Sequence, residues 1–259
     1  PSQGINTVLI DIGEGIQYES HPELAVRGAW SLDEFKAELQ RIRSLGLEPI
    51  PKLNFSAGHD PWLQEYSKML STQKYYDVVK DLIDEVCALF DYPRLFHIGM
   101  DEEEMEFQKW RGMSRVRNDI LWWHDFKYIC ECVEKNGARP WTWSDYYWKH
   151  TDLFCKNMPK SVLQSNAYYG RIKPKENGVY TSKSCQTYVD LDRMGYDQVL
   201  TCSTWSFFGN IEQTVMFPIE NDFSKEHLCG FIAAPWTFTT PYNYYGLLND
   251  AARLGYARK

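Results

Sequence analysis

The feature that most constrains this chain is an alternation. Short apolar runs take turns with amphipathic, helix-patterned stretches along most of its 259 residues. The runs are "NTVLIDIG" (6–13), "LEPIPKLNF" (47–55), "RLFHIGMDE" (94–102), "ARPWTWSDYYW" (138–148), "SVLQSNAYY" (161–169), "YDQVLTCSTWSF" (196–207) and "LCGFIAAPWTF" (228–238). Between the early runs lie "SLDEFKAELQRIRSLG", "STQKYYDVVKDLIDEVCALFD" and "ILWWHDFKYICECVEKNG". The first of these opens on Ser31 as N-cap, carries Glu34 at the capping-box position and stops at Gly46. Strand, helix, strand, helix with near-continuous apolar strands predicts an α/β fold with a parallel sheet buried on both faces. Seven strands in a chain of this length fit a TIM (β/α)8-type barrel lacking one strand, with 1–259 as a single domain. A doubly wound dinucleotide-binding sheet fits less well, because no glycine-rich phosphate loop follows the first run.

Composition narrows the partners. Net charge is −7 with no basic cluster, so the chain lacks the positive footprint that nucleic acid requires. No apolar run approaches the ~18 residues needed to span a bilayer. Ten Trp and 17 Tyr are a high share; aromatics on this scale can fill a core, and such side chains also form flat platforms for sugars and other ring ligands. The seven cysteines are odd in number, and Cys130-Glu131-Cys132 has neither zinc nor thioredoxin spacing, so they read as buried thiols without disulfides. The chain opens on "PSQGINTVLI" with neither start methionine nor signal peptide, which predicts a processed or truncated product.

Polar residues gather at the C-terminal ends of the first four runs, the end where barrel proteins carry their chemistry: Asp11 and Glu14, Asn54 and His59, Asp101 and Glu102, Trp143 and Asp145. The third run holds the densest set, "LFHIGMDEEE" (95–104). In a regular strand His97, Gly99 and Asp101 share one face, and Gly99 leaves room for a ligand or a neighbouring side chain. Glu102 then faces away unless the backbone turns at the strand end. The four acids also read as the start of a helix, whose free N–H groups favour carboxylates, and this accounts for Glu103, Glu104 and Glu106. It does not account for a histidine two residues upstream of an inward glycine.

The motif "FHIGMDEE" resembles the His-x-Gly-x-Asp-Glu signature of family 20 glycoside hydrolases, the β-N-acetylhexosaminidases. Upstream, "HPELAVRGAWSLDEFKAELQRIRSLGLEPIPKLNFSAGH" resembles the family's Pro-Glu-Leu, helix and Gly-x-Glu-x-Ile-Pro strand ending in Gly-His. The likeness is good over about residues 5–105 and beyond that rests on strand order and tryptophans. It implies a retaining glycoside hydrolase without an enzyme nucleophile, in which the substrate's own 2-acetamido oxygen attacks the anomeric carbon. By motif position Asp101 orients the acetamido N–H and Glu102 is the general acid/base, a role that burial beside Asp101 favours. His59 matches the Gly-His of the network behind the acid, with Glu14 as a candidate partner. The competing reading of His59 is a capping or core histidine in "SAGHDPW". His97 reads as a strut behind the site. Trp143, Trp205 and Trp236 correspond to aromatic walls, while Asp145 and Tyr169 are candidate substrate hydrogen-bonders. Trp122 and Trp123 fall in a helical pattern and read as packing residues. No cofactor and no metal are implied. The partner is a glycan or amino-sugar glycoside, and a secreted or periplasmic location suits such chemistry by analogy.

The chain departs from the family in three places. The arginine of the family's first strand has no counterpart, "PWTF" puts Phe238 where the last strand ends Trp-x-Glu, and "STWSFFGN" lacks the Tyr and Asp of the seventh strand. The groups that read the far side of the sugar are therefore changed, leaving GalNAc and GlcNAc both open. Two other readings stand beside this one. One is a catalytically silent carbohydrate-binding relative. The other is a metal-dependent barrel hydrolase using His59, His97, Asp101 and Glu102.

Overall fold

The computed structural model describes residues 2–109 and 111–258. Each apolar run yields one strand: β1 (Thr7–Asp11), β2 (Glu48–Lys52), β3 (Leu95–His97), β4 (Arg139–Trp143), β5 (Leu163–Ser165), β6 (Gln198–Cys202) and β7 (Leu228–Ala233). The helices are α1 (Leu32–Ser44), α2 (Gln73–Leu89), α3 (Asp119–Lys135), the short α4 (Tyr146–Lys149) and α5 (Thr151–Asn157), α6 (Lys183–Arg193), α7 (Asn210–Glu220) and α8 (Tyr244–Ala257). Strand order in the sheet equals strand order in sequence. The pairs β1–β2, β2–β3, β3–β4, β5–β6 and β6–β7 are parallel. A doubly wound sheet reverses its order at one point, and this sheet does not, so the topology is that of a (β/α) barrel.

The chain forms two compact units, one of Asn6–Thr142 with Cys155–Val162, the other of Trp143–Phe154 and the chain from Leu163 onward with the N-terminal residues through Ile5. In the first unit the sequence signals act as expected. Ser31 and Glu34 form a complete capping box on α1, which buries Phe35, Leu39 and Ile42 along one stripe. Gly46 closes that end with φ of +76°, a conformation only glycine adopts freely. Thr72 caps α2 and Asn118 caps α3. Trp122 and Trp123 are core residues, with Trp122 stacked on Phe126 at 5.0 Å between ring centroids. In the second unit Tyr188, Val189, Leu200 and Phe217 make one core cluster and Cys202, Ile211, Val215 and Leu254 another. All seven cysteines are free thiols, five of them buried. Among the described residues, no helix is long and apolar enough to cross a membrane.

Two expectations fail at the same place. β3 stops at His97, well short of the run that predicted it, because Gly99 (φ +71°), Met100 (φ +67°) and Glu102 (φ +53°) are all left-handed. The two-residue alternation therefore ends before Asp101. Nor do the acids open a helix. The next regular piece is a single 3-10 turn, Met105–Gln108, and Glu103 is buried against the Arg117 guanidinium, so an ion pair and not a helix dipole accounts for it.

Candidate active site

The strand ends of the first unit build the carboxylate site. Past β2 the backbone keeps strand-like bonding, with Leu53 N–H donating to His97 C=O (3.0 Å) and Phe55 N–H to Ile98 C=O (3.2 Å). This brings Asn54 against the turn at Gly99. A Cβ on Gly99 would stand 2.0 Å from Asn54 Oδ1, so the room left by the glycine is filled by that side chain. Asn54 Oδ1 accepts from Met100 N–H (3.2 Å) and Ser56 N–H (3.1 Å), and its Nδ2 donates to Asp101 Oδ1 (2.8 Å). One amide thus holds the left-handed turn and aims the first carboxylate.

His59 bridges the pair. Its Nε2 lies 3.4 Å from Asp101 Oδ2 and 3.0 Å from Glu102 Oε2. Adjacent residues in a strand point apart; here the left-handed Glu102 swings its carboxylate back toward the side of Asp101. The two are unequal in exposure, 17% for the Asp101 side chain and 41% for Glu102, so the burial expected at Glu102 belongs to its neighbour. Burial works against the charge on Asp101, yet the His59 hydrogen bond and charge, the Lys52 ammonium and the Asn54 amide together hold its pKa down at about 2. Burial likewise opposes charge on His59, and the hydrogen bonds and charges of Asp101 and Glu102 overcome it, raising the pKa to about 10. His97 behaves oppositely. Fully buried and near the Lys52 charge, it is held neutral with its pKa well below the ordinary value, and its Nδ1 accepts from Gly99 N–H (3.0 Å). It packs on Trp141 behind the turn, as a strut would. Lys52 itself is buried in β2 and paired with Asp11.

The expected pairing of Glu14 with His59 does not occur among the described residues, because Asp101 and Glu102 already occupy the His59 Nε2. Glu14 sits half-buried in the loop after β1, where its backbone carbonyl accepts from Val26 N–H (3.2 Å).

The aromatic candidates come together in the second unit. Trp143, at the end of β4, is buried and lies 6.1 Å from the ring of Trp236. Tyr169 stands 6.1 Å from Trp236 and 6.3 Å from Trp205, both edge-on. Trp205 and Trp236 are 68% and 50% exposed, so flat apolar faces are open to solvent. Trp236 takes a left-handed φ of +49°, an uncommon strain for a bulky residue. Asp145 is half-buried just before α4, its carbonyl bonded to Trp148 N–H (2.8 Å). Phe238, in place of the expected acid, is 82% exposed.

Three supports were not singled out from sequence. Lys52, a charge inside an apolar strand run, was a readable signal. Arg117, which joins Glu103 to Asp125, offered none. Nor did Asn210, which pins the loops bearing Tyr169 and Trp205 through Tyr168 C=O (2.7 Å), Gly170 C=O (3.0 Å) and Ser203 N–H (2.9 Å). Among the described residues, no group of three or more His, Cys, Asp or Glu side chains is arranged to hold a metal.

A sheet in barrel order, with a histidine-bridged Asp–Glu pair just past one strand, defines the class: a (β/α) barrel that gathers carboxylates at the C-terminal ends of its strands. The family follows from comparison. Residues 52–244 match the model of glycosyl hydrolase family 20, catalytic domain, and the chain belongs to that family. Its fold is similar to that of a chitobiase from Flavobacterium johnsoniae (TM-score 0.70, 18% identity, 99% of this chain and 44% of that one). It is also similar to an exo β-N-acetylglucosaminidase from Vibrio harveyi solved with N-acetylglucosamine (0.68, 12%, 97% and 49%). A third is a β-N-acetylhexosaminidase from Bacteroides fragilis (0.65, 14%, 96% and 59%). The chain thus spans about half the length of these solved structures. No curated protein matches it in sequence.

Proposed function

We propose that residues 1–259 form a single catalytic barrel domain of a retaining glycoside hydrolase. It releases terminal β-linked N-acetylhexosamine, GalNAc or GlcNAc, with the substrate's 2-acetamido group as nucleophile. The observation that carries the reading is the pair itself: two adjacent carboxylates, one half-buried and kept anionic, the other more exposed, both within reach of one histidine. Substrate assistance needs this division of labour. As the acetamido oxygen attacks the anomeric carbon, positive charge grows on the amide nitrogen, and a fixed anion beside that N–H stabilises it. Asp101, held anionic by His59, Lys52 and Asn54, meets the requirement. The leaving oxygen needs a proton at the same moment, and the water that follows must lose one. Glu102, solvent-accessible and 3.0 Å from His59 Nε2, takes both steps in turn: as the carboxylic acid it gives its proton to the leaving oxygen, and as the resulting carboxylate it takes one from the attacking water. The exposed faces of Trp205 and Trp236, with the half-buried Tyr169 and the buried Trp143, are apolar surface of the kind a sugar ring packs on, and Asp145 and Glu14 are each a candidate for bonding a sugar hydroxyl.

The test is release of nitrophenol from the β-GlcNAc, β-GalNAc and β-glucoside substrates, run side by side. Activity on an amino sugar with none on the glucoside is expected. Glu102→Gln is expected to lower kcat on a natural glycan by roughly a hundredfold or more, with KM little changed. A silent wild-type protein that still binds the amino sugar would favour the carbohydrate-binding reading instead.

A further inference from the structure

The loop that carries His59 is fastened, atom by atom, to the segment after Glu102. Phe55 C=O accepts from Arg117 (3.0 Å), and Ala57 N–H donates to Glu103 Oε1 (3.0 Å). Arg111 takes the rest. Its Nη1 donates to Ala57 C=O (2.7 Å) and Asp60 Oδ1 (2.8 Å), and its Nη2 to Gly58 C=O. A Cβ on Gly58 would lie 2.2 Å from the carbonyl oxygen of Glu102, so the two backbones are in direct contact here. Arg115 shares Asp60 Oδ1 (2.8 Å) and otherwise reaches Ser67 C=O, away from His59.

We propose that Arg111 is a positioning residue for the His59–Glu102 pair. By tying the two peptide carbonyls before His59 and the carboxylate after it, the guanidinium fixes the height at which Nε2 stands between Asp101 and Glu102. Only a planar fork with several donors bonds three acceptors in this way, so lysine is not equivalent. The catalytic consequence rests on the function proposed above; the positional claim does not.

The charged groups around His59 make the test one of sign. Asp101 and Glu102 face it, Lys52 lies on the Asp101 side, and Asp60 behind it is paired to both Arg111 and Arg115. Removing a nearby cation by charge alone would favour protonated His59 and raise its pKa. Releasing the loop from its carboxylate partners would lower it. The protein has six histidines, so the His59 ring signals are assignable by NMR with His59→Gln as reference. In wild type the His59 midpoint is expected near about 10. In Arg111→Met it is expected to fall by more than one unit, with kcat down about tenfold or more and KM within about twofold. Arg115→Met keeps the midpoint, and Arg111→Lys falls between. An unchanged or raised midpoint in Arg111→Met overturns the proposal. If that variant does not fold by circular dichroism, Arg111→Lys decides, and an unshifted midpoint there overturns it equally. A wild type without hydrolase activity whose midpoint still falls on Arg111→Met defeats the functional reading and leaves the clamp standing. An active enzyme with an unmoved midpoint does the reverse.

Discussion

At the scale of single residues, the site depends on Asn54 filling the space beside Gly99. Gly99→Ala puts a methyl 2.0 Å from Asn54 Oδ1 at a φ of +71° that alanine resists. The side chain of Asn54 must move, and with it the bonds to Met100 N–H and Asp101. The expected loss is roughly 3 kcal/mol or more of stability, read by urea denaturation, together with loss of turnover. The His59–Asp101 pair also sets a pH dependence. Asp101 has a lowered pKa, so its contribution to stability is present above the ordinary Asp value near ~4 and is lost as pH falls toward about 2. His59 has a raised pKa, so its contribution is full below the ordinary His value near ~6.5 and is lost as pH rises through about 10. Together they stabilise most between about pH 4 and 6.5. The Tm difference between wild type and His59→Gln, measured across pH, should be greatest in that window and shrink on both sides. A flat difference would contradict the pairing.

At the scale of elements, one segment does more than its lack of regular structure suggests. Among the described residues of 103–117 there is one 3-10 turn, yet they brace the His59 loop from behind. Arg117 is buried between Glu103 and Asp125, and Ser71 and Tyr76 hydroxyls complete the bonding of Asp125. Arg117→Met would strand two buried carboxylates, an expected cost of about 3–5 kcal/mol in chemical denaturation; a loss under ~1 kcal/mol would contradict the account. Much of the element layout was legible in the sequence because it follows from local chemistry. The Ser31–Glu34 capping box, the stop at Gly46 and the apolar strands depend on neighbours a few residues apart. What was not legible comes from contacts distant in sequence. The early end of β3 is set by Asn54, 45 positions before Gly99, and Glu103 is explained only once Arg117 is seen against it. The adjacency of Asp101 and Glu102 was readable, but their convergence on His59 required left-handed turns that strand alternation argues against.

At the scale of the whole molecule, parallel strands in sequential order put His59, Asp101 and Glu102 on neighbouring strand ends, and membership of glycosyl hydrolase family 20 accords with that placement. The central claim is chemical: the nucleophile belongs to the substrate. The direct measurement compares kcat/KM for the nitrophenyl amino sugar the wild type prefers with that for its N-trifluoroacetyl analogue, alike in size but far poorer in amide-oxygen nucleophilicity. The account predicts a fall of roughly a hundredfold, about 2.7 kcal/mol of barrier. Equal rates on the two, or comparable turnover of the plain β-glucoside, would show that the acetamido group takes no part in bond cleavage and would contradict the roles given to Asp101 and Glu102.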